Sequence, residues 1–137
     1  LEKGGSDDQV MPVRFLMALE REAHIFMSLV GGNTASAILR SAVNVYGNPA
    51  SQVYMLKESG QYFSVLLQHL AVLIRGLVRV GQPADIELLK SVKSRQDTFM
   101  ELSEEPRHCA QVKRTLAWVD TAVREIKARD QKLKIEN

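Results

Sequence analysis

The stretch Tyr62 to Val80, YFSVLLQHLAVLIRGLVRV, limits the possible folds more than any other part of the chain. On a helical wheel advancing about 100° per residue, Ser64, Gln68, Arg75 and Arg79 fall into one narrow polar stripe, and nearly all the remaining circumference is apolar. A helix of that kind must be wrapped by neighbours on most sides. The stretch therefore reads as the central, mostly buried strut (about 61–80) of an all-α, antiparallel four- to five-helix bundle that ends in a long C-terminal helix.

The rest of the chain divides around that strut. The polar, glycine-containing opening LEKGGSDDQ, residues 1–9, reads as a linker, as expected of a segment cut from a larger protein. Val10 to Val30 predicts a first helix with Pro12 near its start; Phe15, Leu16, Leu19, Ala23, Phe26, Met27, Leu29 and Val30 form its apolar arc, and Gly31-Gly32 ends it. Arg14, Arg21 and His24 lie opposite, whereas Glu22 falls inside the arc. Asn33 or Thr34 then caps a short helix reaching Tyr46, with Ala35, Ile38, Leu39, Ala42, Val45 and Tyr46 on its inner face and Gly47 as its stop.

Asn48-Pro49 restarts the chain with a cap residue followed by proline. Ser51 to Ser59 shows no clean stripe, and Gly60, costly by about 1 kcal/mol inside a helix, predicts a kink or break before the strut. Gly81 ends the strut. Pro83 opens a fourth helix running to Leu102, with Asp85 and Glu87 in its first turn complementing the helix dipole. Ile86, Leu88, Leu89, Val92, Phe99, Met100 and Leu102 are its expected inner face; Lys90 and Ser94 are among the expected outer residues. After Ser103 and Pro106 the last helix carries Cys109, Val112, Leu116, Val119, Val123 and Ile126, alternately three and four apart, the spacing of a bundle or coiled-coil seam. Residues 10–130 are thus expected to form a single domain and 131–137 a polar helix end or tail.

With 45% hydrophobic and 25% charged residues the composition is that of a folded globular domain, and the net charge of +2 is too small to choose a partner. The charge is unevenly placed: from Arg107 onward eight Lys/Arg face four Asp/Glu, so this segment carries +4 and the remainder −2. A lone cysteine, Cys109, forbids an intramolecular disulfide and favours a reducing compartment, so the expected setting is intracellular, cytoplasmic or nuclear. No membrane span is expected, because two arginines and His69 would sit within the hydrocarbon.

No catalytic, nucleotide-binding or metal motif stands out, so neither enzyme activity nor a cofactor is expected. His69 lies on the apolar side of the strut, one heptad before Gly76, so both should face the same neighbouring helix. It reads as a neutral core histidine bonded across the bundle, with glycine permitting close approach. Pairing His69 with Glu22 as an acid–base or metal site is the sharper reading, but two ligands are too few; Glu20 and His24, four apart, are more simply a solvated pair. Cys109 follows His108 directly, and adjacent residues point apart on a helix, which disfavours a nucleophile–base pair.

These features favour a non-catalytic protein–protein interaction or scaffolding module that binds a helical or extended partner segment through a surface or groove between helices. Trp118 lies off the last helix's seam, near Gln111 and Arg114, and is either packed under a neighbour or a hot spot on a binding face. With the strut's polar edge, the candidate binding residues are Trp118, Arg114, Arg75, Arg79 and Gln68. A nucleic-acid alternative rests on Lys113, Arg124 and Lys127, which share one side of the last helix, although Asp120 lies among them and the footprint is sparse. A further alternative is homo-oligomerisation through the heptad seam.

Overall fold

The computed structural model describes residues 34, 36–58, 60 and 62–136. The expected helix over Val10 to Val30, with Glu20, Glu22 and His24, lies outside them. Most of the described residues are helical, with no strand among them, and they form six helices, the last of them long. Helix α1 spans 36–46, α2 Pro49–Glu58, α3 Phe63–Val80, α4 Asp85–Ser94, α5 Gln96–Glu101 and α6 Pro106–Glu136.

The local stop and start signals act where the sequence places them. Gly47 closes α1 by donating its N–H to the Val43 carbonyl, and the Asn48 side chain accepts the Ala50 N–H at 3.0 Å, capping α2 with Pro49 in the first position. Gly60 adopts φ +64°, the left-handed region open mainly to glycine, and the chain breaks there between α2 and α3.

Helix α3 has the predicted cross-section. Phe63, Leu66, Leu67, His69, Leu70, Leu73, Ile74 and Leu77 are buried, whereas Gln68, Arg75 and Arg79 are exposed and Ser64 is half-buried. By length and composition alone it could also cross a membrane; here much of its surface is covered by protein. Two contacts define its approach to α1. A Cβ on Gly76 would come within 2.9 Å of Leu39, and His69 meets the Tyr46 ring edge-on with centroids 5.8 Å apart. His69 and Gly76 thus face one neighbour, as their heptad spacing predicts, and the order of the pairs (39 with 76, 46 with 69) makes α1 and α3 antiparallel.

The partnership of α3 with α6 has the opposite sense. Phe63 packs edge-on against His108 at 5.4 Å, Gln111 donates to the Ser64 carbonyl at 2.8 Å, and a Cβ on Gly81 would meet Ile126 at 2.5 Å. Residue numbers rise together along both helices, so they run parallel. The expected antiparallel arrangement thus describes α1 with α3 but not α3 with α6.

The single expected helix from Pro83 to Leu102 is instead two. It is interrupted at Arg95, whose backbone leaves helical geometry at φ −93°, ψ 12° and whose guanidinium donates to the Gly47 carbonyl at 2.9 Å. That carbonyl belongs to the α1 terminus, so a tertiary bond accompanies the break. Leu89, Val92 and Phe99 are fully buried, with Ile86, Leu88, Met100 and Leu102 packed around them.

Helix α6 buries His108, Val112, Thr115, Leu116, Val119, Ala122 and Ile126, while Cys109 and Val123 are half-buried. The buried arc is wider than the predicted seam, because α3 packs on one side of α6 and α4 and α5 on the other. Past Ile126 the helix runs on unbroken to Glu136, and it leaves Leu133 58% and Ile135 78% exposed. Near that end Arg129 donates to the carbonyls of Val78 at 2.5 Å and Gly81 at 2.8 Å, satisfying acceptors at the α3 C-terminus where a cation also suits the helix dipole.

Burial pushes the Tyr46 phenol from its ordinary 10.0 up to about 12. The folded chain therefore holds this proton more tightly than the unfolded chain, so the associated stability is complete below pH 10 and is lost as pH rises through about 12. In denaturant titrations, the stability of wild type relative to Tyr46→Phe is expected to fall across that window; a flat difference would contradict the shift.

Candidate functional site

Helices α4 and α6 leave an open groove of about 560 Å³ between them. Lys90, Lys93 and Ser94 line it from α4, and Val119, Asp120, Val123, Arg124 and Lys127 line it from α6. Its floor is aliphatic: Val119 is buried and Val123 half-buried, one turn apart. The rims are basic on both sides, since Lys90 and Lys93 sit one turn apart on α4 and Arg124 and Lys127 one turn apart on α6.

Local sequence explains why the groove stays open. The residue closing α4 is the small Ser94, whose hydroxyl turns back to donate to the Ser91 carbonyl at 2.6 Å, and Ser91 in turn donates to Leu88 at 2.8 Å. Neither fills the space facing α6. Lysine stems can cover apolar floor while their ammonium groups remain in water.

The acidic residue in the groove is already engaged, because Lys93 Nζ pairs with Asp120 Oδ2. Arg124 lies 3.9 Å from Glu125, a long contact between two exposed side chains. Among the described residues no carboxylate pairs with Lys90 or Lys127. The groove therefore combines two valines with a surplus of positive charge. A second, smaller depression of about 370 Å³, lined by Lys127, Asp130, Gln131, Lys134 and Ile135, continues along α6 from Lys127.

The candidates read from sequence separate onto two faces. Arg124 and Lys127 belong to the groove, joined there by Lys90 and Lys93, while Lys113 is exposed on α6 outside its lining. Gln68, Arg75, Arg79, Arg114 and Trp118 are all exposed and lie on α3 and α6, away from the groove lining. On that edge the Arg75 guanidinium sits 5.6 Å from the Trp118 ring centroid, and Trp118 is 36% exposed. A cation over an indole face is attracted by the ring quadrupole, worth about 0.5–1 kcal/mol where exposed. Part of the tryptophan surface is thus taken by the strut's own polar edge.

The contribution of α4 was hidden in the sequence: Lys90 reads as solvated outer face, and Lys93 sits 27 positions from the aspartate it engages. Among the described residues no three His, Cys, Asp or Glu side chains gather as a metal site would require. His108 is buried at the start of α6, accepting the Glu104 N–H at 3.2 Å through Nδ1, while the adjacent Cys109 is half-buried.

Comparison with known protein families, with curated protein sequences and with solved structures finds no match to this chain.

Proposed function

We propose that this chain is a non-catalytic protein-interaction module of a larger intracellular protein, an α3-centred bundle that takes a partner segment in the groove between α4 and α6. The observation that carries the reading is the groove itself: concave, floored by Val119 and Val123, and rimmed by cations from two helices. Apolar contact with flanking charge is the pattern by which an amphipathic segment is held between helices. The α3/α6 edge with Arg75 and Trp118 is less suited to hold a partner, since part of its aromatic surface is occupied by the chain itself. The same cations motivate the nucleic-acid alternative, but Asp120 stands among them and the basic footprint is small.

A photo-crosslinking residue placed at exposed Ser94 in the full chain is expected to give discrete protein adducts in cells, and one at Gln68 to give none. Adducts from Gln68 instead would move the binding face to the α3/α6 edge. Ribonuclease- or deoxyribonuclease-sensitive adducts at Ser94 would establish the nucleic-acid alternative, and adducts at neither position would remove the groove as a binding site.

A further inference from the structure

We propose that the occupant of the α4/α6 groove is an acidic amphipathic helix of about two to three turns, presenting a short aliphatic row flanked on both sides by glutamate or aspartate. This rests on the reading of the groove as a protein-binding site and adds the partner's chemistry.

The length follows from the lining. Val119 to Lys127 covers eight residue steps of α6, about 12 Å at the helical rise, which matches two turns of a docked helix. Val119 and Val123, one turn apart, offer the floor for aliphatic side chains spaced three or four apart on the incoming helix.

The charge follows from the rims. Lys93 and Asp120 neutralise each other across the groove, leaving Lys90 on one wall and Arg124 and Lys127 on the other to meet incoming charge. A neutral helix would cover these cations without compensating them, and a basic one would be repelled. A helix carrying carboxylates on both flanks pairs with both walls while its aliphatic face reaches the valines. Charge complementarity of this kind sets partner choice and association rate, and it weakens with salt because the rims are exposed.

The same features select against a phosphate polymer. Among the described residues no aromatic side chain lines the groove for bases to stack on, Asp120 sits inside it, and the cations are few.

The test uses the full chain and labelled helical peptides of about 15 residues with one leucine row, flanked by Glu, Gln or Lys, read by fluorescence anisotropy. The Glu peptide is expected to bind, about 10-fold more weakly at about 500 mM than at about 50 mM salt. Lys90→Glu/Lys127→Glu, both at exposed positions and checked for unchanged helix content by circular dichroism, is expected to lose at least about 10-fold; Ser94→Trp, which fills the groove, is expected to abolish binding. Equal or tighter binding of the Gln peptide, still blocked by Ser94→Trp, would overturn the acidic partner while leaving the groove as a protein site. Failure of all three peptides would overturn both readings. A single-stranded RNA or DNA oligonucleotide that displaces the Glu peptide and binds more tightly would assign the groove to phosphates. Glu-peptide binding seen only after dilution dissociates the chain would make a second copy the occupant, and binding indifferent to the charge reversals would also sink the proposal.

Discussion

Replacing Asp85 with alanine is expected to destabilise the fold by about 2–4 kcal/mol, mainly because neutral donors that bond to its buried carboxylate lose their acceptor. The Asp85 side chain is 0% exposed, and among the described residues three donors surround it. Ser36 Oγ donates to Oδ2 at 2.9 Å, the Gln82 backbone N–H donates to the same oxygen at 2.8 Å, and Arg40 Nε donates to Oδ1. One carboxylate therefore joins α1 to the start of α4 and closes the turn after α3. Alanine would leave the buried Ser36 hydroxyl without this acceptor, at about 1–3 kcal/mol, and would remove the carboxylate bond to the part-buried Gln82 N–H at a smaller loss.

Arg40 contributes less to the loss, because its side chain is 38% exposed and can return to water. Asp85→Asn, which keeps the volume and one acceptor oxygen, is expected to cost about half as much, and Asp85→Ala/Ser36→Ala less than the sum of its parts. Chemical denaturation at low and high salt measures all three. A loss for Asp85→Ala below about 1 kcal/mol would show that these bonds are replaced by water without penalty.

Asp85 also marks the limit of what the sequence reveals. In the linear chain it is a first-turn carboxylate that suits a helix dipole, and nothing nearby announces two partners 45 and 49 positions upstream. Arg129 and Arg95 behave the same way: each has the composition of solvated surface, yet each donates to carbonyls at the end of a distant helix. The legible parts were those set by adjacent residues. Gly47, Asn48-Pro49, Gly60 and Gly81 act through local backbone geometry, and the wheel of α3 depends only on its own spacing.

The interruption at Arg95 has neither glycine nor proline to signal it, and it coincides with a bond to α1 that forms only in the folded chain. For the same reason the groove was half legible. Arg124 and Lys127 share a face of one helix and could be grouped from sequence, whereas Lys90 and Lys93 join them only once α4 lies against α6. Trp118 lies off the seam, as its wheel position predicts, whereas the approach of Arg75 to its ring follows only from α3 and α6 running parallel.

The parallel pairing also produces the second large expected effect, at Gly81. Its backbone is at φ −63°, ψ 151°, an extended conformation open to any residue, so the obstacle is space. A Cβ there would lie 2.5 Å from Ile126 Cδ1 and 2.5 Å from the Leu77 carbonyl oxygen. The isoleucine tip can rotate away at the expense of packing. The carbonyl cannot, because the Gly81 N–H itself donates to it at 2.7 Å, and Arg129 holds the Gly81 carbonyl from the other side.

Relief must therefore come from unwinding the last turn of α3, which loosens the Arg129 tie as well. Gly81→Ala is expected to cost about 2–3 kcal/mol and Gly81→Val more, at the upper end of overpacking effects. Ile126→Ala in the same chain separates the two obstacles. If the side chain were the whole problem, the penalty of Gly81→Ala would vanish in that background; with the carbonyl as the fixed wall, at least about half of it should persist. Amide exchange should quicken at the end of α3 in the single variant, because that is where the backbone has to give way.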